Sequence, residues 1–155
     1  MGSEMCIRDR SKMNKPVGFT INFHKYRKFK INNKWQCQKL SLPNIEDFWN
    51  ILCGNLLHYH YSSSQRKKFH TSTACFANVD IGLAEEMVHL HGVANNISDN
   101  NEMNFRWVIR QCISNAHRIT HIVSGDPHID TRVLDNGWID YVFKRNGLCY
   151  PLYGR

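Results

Sequence analysis

Acidic side chains are scarce in the first half of this 155-residue chain. Between residues 11 and 70 only Glu46 and Asp47 stand against eleven Lys and Arg, a local net charge of +9, while residues 71 to 155 carry seven Lys and Arg and nine acids, net −2. The formal net charge of +7 therefore comes entirely from the first half, which suits an anionic partner on one surface and a cation on another. No apolar run approaches the roughly 20 residues of a membrane-spanning helix, the longest pieces resembling Ile51-Leu52-Cys53, so the chain is expected to be soluble with no membrane partner. Nor is there a secretory signal, an internal repeat or a low-complexity run. With 42% hydrophobic and 12% aromatic residues, a disordered or collagen-like chain is excluded, and the length fits a single domain.

C-x-x-C pairs are missing as well. Apart from Cys6, the thiols are Cys37, Cys53, Cys75, Cys112 and Cys149, an odd and scattered set that gives neither a disulfide framework nor a zinc ribbon and reads as isolated thiols in a reducing compartment. Residues 2–10, Gly-Ser-Glu-Met-Cys-Ile-Arg-Asp-Arg, resemble the in-frame translation of an adaptor used in shotgun DNA libraries. Residues 1–10 are accordingly set apart as an expected artefact, residues 11–155 are read as one domain, and neither end is expected to be a natural terminus.

Alternation over Val17 to Phe23 predicts a half-buried strand. A basic stretch from His24 to Lys39 follows, with Tyr26, Phe29 and Trp35 among its charges, and reads as a solvated loop unless it binds an anion. Ser41 to about Tyr61 has helical spacing at Ile45, Phe48, Trp49, Leu52, Leu56 and Leu57, with Pro43, Glu46 and Asp47 suiting its start. Strands near 72–81 and 88–94 form a hairpin, and Phe105, Val108, Ile109, Cys112, Ile113 and Ala116 mark one face of a second helix. A further strand is expected at 119–123, at 128–133, or at both, and Trp138 to Arg145 is expected to be a short helix closed by Gly147. The order is that of an α+β, ferredoxin-like antiparallel sheet with helices on one face and a C-terminal helix carrying Tyr141.

His89-Leu90-His91 is the most informative local pattern, because alternate residues of a strand share a face and two imidazoles there can share a metal. His58-Tyr59-His60 is a competing copy, but at a helix end i and i+2 diverge. A hairpin centred near residues 84 and 85 places Asp80 opposite His89, within reach of a common ion, with Glu85 or Glu86 serving in another register. Two imidazoles and a carboxylate without thiolates suit Mn²⁺ or Mg²⁺ in a site open to substrate. On the expected last helix Tyr141 and Lys144 share a face, so the lysine and a bound cation could activate the phenol as a nucleophile.

Taken in order, Phe19-Thr20-Ile21-Asn22, His89-Leu90-His91 with Gly92-Val93-Ala94-Asn95, and Asp140-Tyr141-Val142-Phe143-Lys144 extended to Gly147 resemble the three motifs of the HUH superfamily of single-strand DNA endonucleases. The likeness is to rolling-circle replication initiators of small circular DNA viruses and plasmids, and it spans residues 17 to 147. It implies the HUH endonuclease fold and Mn²⁺ or Mg²⁺ held by His89, His91 and an acid. It also implies attack by Tyr141 on a scissile phosphate, giving a 5′-phosphotyrosine and a free 3′-hydroxyl, with Lys144 orienting the phosphate or the phenol. The implied partners are a single-stranded, stem-loop DNA origin and the replication machinery of a host, with self-association a further expectation. The implied location is the host cell interior, nuclear in a eukaryote and cytoplasmic in a prokaryote.

The expected DNA contacts are Asn22, Lys25, Tyr26, Arg27, Lys28 and Lys30, and separately Arg66, Lys67 and Lys68. The stretch from 24 to 70 has no secure counterpart in the resemblance, and no G-x-x-x-x-G-K-[ST] loop is present, so a helicase domain is expected to be absent or lost from the sequence. A single-tyrosine transposase or relaxase shares the same chemistry. A non-catalytic single-strand-binding module is the alternative of another class, and it predicts an aromatic and basic platform on the middle strands.

Overall fold

A computed structural model describes residues 15–60, 75–81, 88–96, 101–129 and 149–153. In chain order the elements are β1 (Val17–Phe23), β2 (Tyr26–Ile31), β3 (Lys34–Lys39), α1 (Leu42–His60), β4 (Cys75–Ile81), β5 (Val88–Ala94), α2 (Glu102–Thr120), β6 (His128–Ile129) and β7 (Cys149–Tyr153). One antiparallel sheet runs β6-β1-β5-β4-β7, and β2 and β3 form a separate two-stranded ribbon. The first four of those sheet strands and the two helices give the β-α-β-β-α-β order of a ferredoxin-like α+β fold, with the ribbon inserted between β1 and α1 and β7 added at an edge.

Alternation turns one face of the sheet to the helices. Val17, Phe19, Ile21 and Phe23 of β1, Ala77 and Val79 of β4, and Leu90 and Ala94 of β5 are buried in one cluster with both helices. From α1 come Ile45, Phe48, Trp49, Leu52, Cys53 and Leu56; from α2 come Phe105, Val108, Ile109, Cys112, Ile113 and Ala116. Each fully buried large apolar side chain contributes roughly 1.5–3 kcal/mol, so these faces fix which side of the sheet the helices cover. Phe19 stacks on Trp49 with ring centroids 6.4 Å apart, and Phe23 meets Phe48 edge-on at 5.4 Å. The odd-numbered β1 residues being spent on the core, Thr20 and Asn22 face the other way.

The helix ends have identifiable causes. Before α1, the Ser41 N–H and the Ser41 hydroxyl both donate to Asn44 Oδ1, at 3.1 and 2.8 Å, and the Ser41 carbonyl accepts the Asn44 N–H at 3.1 Å. No acid falls in the first turn, so Glu46 and Asp47 lie one turn later than expected. Asn101 caps α2 by accepting the Met103 N–H at 2.9 Å, and His121 ends it in the left-handed region, φ 57°, with its N–H on His117 O.

Three expectations change. Within the basic stretch from 24 to 39, residues 26–39 are an antiparallel ribbon and not a loop, turning at Asn32 and Asn33, which both have positive φ. Of the two segments expected to carry a further strand, the second holds β6 at His128–Ile129, whereas 119–123 is not a strand: α2 continues through Thr120, and Val123 makes an isolated bridge to Phe23. A last strand, β7, pairs with β4 where no strand was expected. The expected helix at 138–145 lies outside the described residues. Among the described residues no helix is long and apolar enough to cross a membrane.

Candidate metal and phosphate site

β5 is the middle strand of the five, so its solvent-side residues are flanked on both sides. Its core-side positions are Val88, Leu90, Gly92 and Ala94, which leaves His89 and His91 together on the face away from the helices, both half-buried. Their rings lie side by side, centroids 6.4 Å apart and planes tilted by 30°. Gly92 is required here for a packing reason. A Cβ at this position would sit 2.3 Å from the tip of the Phe19 ring, which is fully buried against Trp49.

The registers on either side of β5 place polar residues in two rows. Asn22, His89 and Asp80 occupy adjacent strands in one row, and Thr20, His91 and Asn78 in the next. The expected position of Asp80 opposite His89 is thus the observed pairing of the backbones, and on the outer side Asp80 pairs with Cys149. Asp80 is described for its backbone alone, and Glu85 and Glu86 lie outside the described residues. Among the described side chains, no three His, Cys, Asp or Glu gather as a metal-holding group.

β1 ties both imidazoles down. Asn22 Oδ1 is 2.5 Å from His89 Nδ1, and Thr20 Oγ1 is 3.1 Å from His91 Nδ1. A carboxamide oxygen only accepts, so His89 carries its ring proton on Nδ1, and in the neutral ring the lone pair is on Nε2. This is the arrangement by which metal-ligating histidines are oriented: one ring nitrogen donates to a fixed acceptor and the other is presented to an ion. Asn22, expected as a DNA contact, has its carbonyl oxygen occupied in positioning His89. Sequence reading missed this role, as well as that of Thr20, because both depend on strand pairing across 67 and 71 positions. It also missed His128, which pairs with Thr20 in β6 and extends the second row.

His58 is exposed in the last turn of α1, away from the sheet registers that align His89 and His91. The Cys112 thiol is no nucleophile either: burial and, secondarily, Cys53 push it up to about 11.

Of the residues expected to bind nucleic acid, Lys25 lies at the base of the ribbon, and Tyr26, Arg27, Lys28 and Lys30 lie on β2. No acid occurs between residues 11 and 45, so every charged side chain of the ribbon is cationic. Lys25 lies over Tyr26, Arg27 over Phe29 and Lys30 over Trp35, at 5.9, 5.8 and 5.0 Å from the ring centroids. Tyr141, Lys144, Arg66, Lys67 and Lys68 lie outside the described residues. No family model, curated protein or solved structure matches the chain.

Proposed function

We propose that this chain is a single-strand DNA endonuclease and strand-joining enzyme of the HUH kind, initiating rolling-circle replication. The observation that carries the reading is the pair His89 and His91 on the middle strand, each with its Nδ1 held by a β1 side chain and with Asp80 in register beside His89. A pair of surface histidines without a function would not require both rings to be fixed from the neighbouring strand.

In this reading His89, His91 and the carboxylate of Asp80, or else of Glu85 or Glu86, would hold Mn²⁺ or Mg²⁺. When bound, such an ion neutralises charge on the scissile phosphate. The Tyr141 oxygen forms a bond to phosphorus, the bond from phosphorus to the 3′-oxygen breaks, the phenol loses its proton and the departing 3′-oxygen gains one. One phosphodiester is exchanged for another, so the step is reversible and the same centre can rejoin ends. Lys144 orients the phosphate or the phenol and offsets negative charge as the exchange proceeds. The cationic ribbon holds the strand while this happens.

The experiment incubates the protein with single-stranded oligonucleotides from a stem-loop library and Mn²⁺, then separates covalent protein–DNA adducts under denaturing conditions. Adducts are expected with the parent chain and lost in Tyr141→Phe, in His89→Ala and in EDTA. Adducts that persist in Tyr141→Phe, or that form equally well in EDTA, overturn the reading. Adducts that form only on hairpin ends of a mobile element would instead favour the transposase or relaxase variant of the same chemistry.

A further inference from the structure

The ribbon carries more than charge. In its register Tyr26 pairs with Lys39, Lys28 with Cys37 and Lys30 with Trp35, so alternation puts Tyr26, Lys28, Lys30 and Trp35 on one face. Trp35 is 70% exposed and Tyr26 50%, although a packed protein normally covers such rings. Lys30 braces the indole from 5.0 Å and leaves most of it in solvent.

Against this face lies a cavity of about 400 Å³ lined by His24, Tyr26, Lys28, Trp35 and His121. A second, of about 370 Å³, is lined by Lys28, Trp35, Gln36 and Cys37, so Trp35 and Lys28 border both. The first cavity has an anchored main chain at its base. His24 N–H donates to Ile122 O at 2.8 Å, and His121 is the left-handed cap of α2, so the main chain of both residues is fixed where the ribbon leaves the main sheet.

We propose that this face is a nucleobase site for single-stranded nucleic acid, in which an unpaired base stacks on Trp35 and Lys28 holds an adjoining phosphate. It deepens the functional reading by naming where the strand is gripped and rests on that reading for the strand, but not on the chemistry of Tyr141. The charge argues for an anion, since residues 11 to 45 contain no acid. Exposed flat rings beside a cavity argue for unstacked bases over duplex, whose bases are not accessible to an aromatic face. Each cavity falls in the size range of small-ligand pockets, roughly 300–1,000 Å³.

The test measures anisotropy of labelled 15-mers of thymidylate and of uridylate, with matched 15-mers carrying abasic positions, on the full chain. Trp35→Ala is expected to weaken binding of the base-bearing strands about tenfold and Trp35→Phe to restore most of it, since one stacked base contributes on that order. Abasic strands are expected to bind the parent chain and Trp35→Ala alike. A Trp35→Ala protein that binds thymidylate and uridylate as the parent does overturns the proposal, and so does a penalty for abasic positions that persists undiminished in that variant. Should Trp35→Ala disturb folding, the parent chain decides alone, because equal binding of abasic and base-bearing strands overturns the site.

Comparing the two strands assigns the site to DNA or RNA. Capture on phosphatidylserine vesicles that Trp35→Ala abolishes while strand binding is unchanged would assign the face to a lipid surface and overturn the proposal. Base-dependent binding without any Tyr141 adduct sinks the nuclease reading and leaves this site standing; an adduct with base-independent binding does the reverse.

Discussion

Asn22 Oδ1 and His89 Nδ1 lie 2.5 Å apart, joining β1 to the middle strand on the face away from the helices. The bond selects one tautomer of His89 and so decides which nitrogen can meet a cation. Removing the acceptor leaves the ring in place on β5 but free to rotate and to change tautomer. Under the proposed metal site, Asn22→Ala is therefore expected to weaken Mn²⁺ binding by about 10- to 100-fold with little change in thermal stability. Titration followed by the electron paramagnetic signal of free Mn²⁺ checks this, and unchanged affinity would remove Asn22 from the site.

On the opposite face of the same strand, Gly92 is where the Phe19 ring lies. A Cβ would meet the ring tip at 2.3 Å, and the ring is fully buried and stacked on Trp49, so it has nowhere to move. Gly92→Ala is expected to destabilise the fold by about 1–3 kcal/mol in urea unfolding. Phe19→Leu shortens the ring side chain, so the double variant is expected to be more stable than the sum of the two singles implies. Additive effects would show that the clash is relieved elsewhere.

What could be seen in the sequence was what alternation or helical spacing encodes locally. Val17 to Phe23 and Val88 to Ala94 each bury one face, and the hairpin register that follows sets Asp80 opposite His89. The ribbon was invisible because its residues are exposed or only half-buried throughout, so no hydrophobic alternation marks them. Pro151 hides β7: proline reads against a strand, yet β7 lies at the edge of the sheet, where a missing N–H is tolerated. The tethers of His89 and His91 had no local signal at all, since Asn22 and Thr20 reach them only after β1 and β5 pair.

The ribbon turns through Asn32 and Asn33, at φ 50° and 61°, the doubly left-handed backbone of a type I′ connection. Asparagine tolerates this region better than other residues with a Cβ, and glycine better still. Asn33→Gly is expected to keep or tighten the ribbon, whereas alanine at both positions should cost about 2–4 kcal/mol locally. The readout is amide hydrogen exchange in β2 and β3. Protection that survives the double alanine change would mean that contacts other than the turn hold the strands together.

The last prediction concerns acid. His117 Nδ1 accepts the Val123 N–H at 3.1 Å, holding the segment that bridges to Phe23 at the end of β1. A protonated ring has no lone pair to offer, so this bond needs the neutral form. Burial first, then the neighbouring His121 and His24, lower its pKa below the ordinary 6.5. The unfolded chain therefore takes up a proton at this position more readily than the folded one. Its contribution to stability is present above pH 6.5 and is lost as the pH falls from there through the lower folded-state value. Thermal unfolding midpoints are expected to drop between pH 7 and pH 5, and to drop less in His117→Gln, which cannot titrate. Equal slopes for the two proteins would place the acid sensitivity elsewhere; a smaller slope in the variant ties it to the joint between α2 and β1, where His24 and His121 line the cavity beneath Trp35.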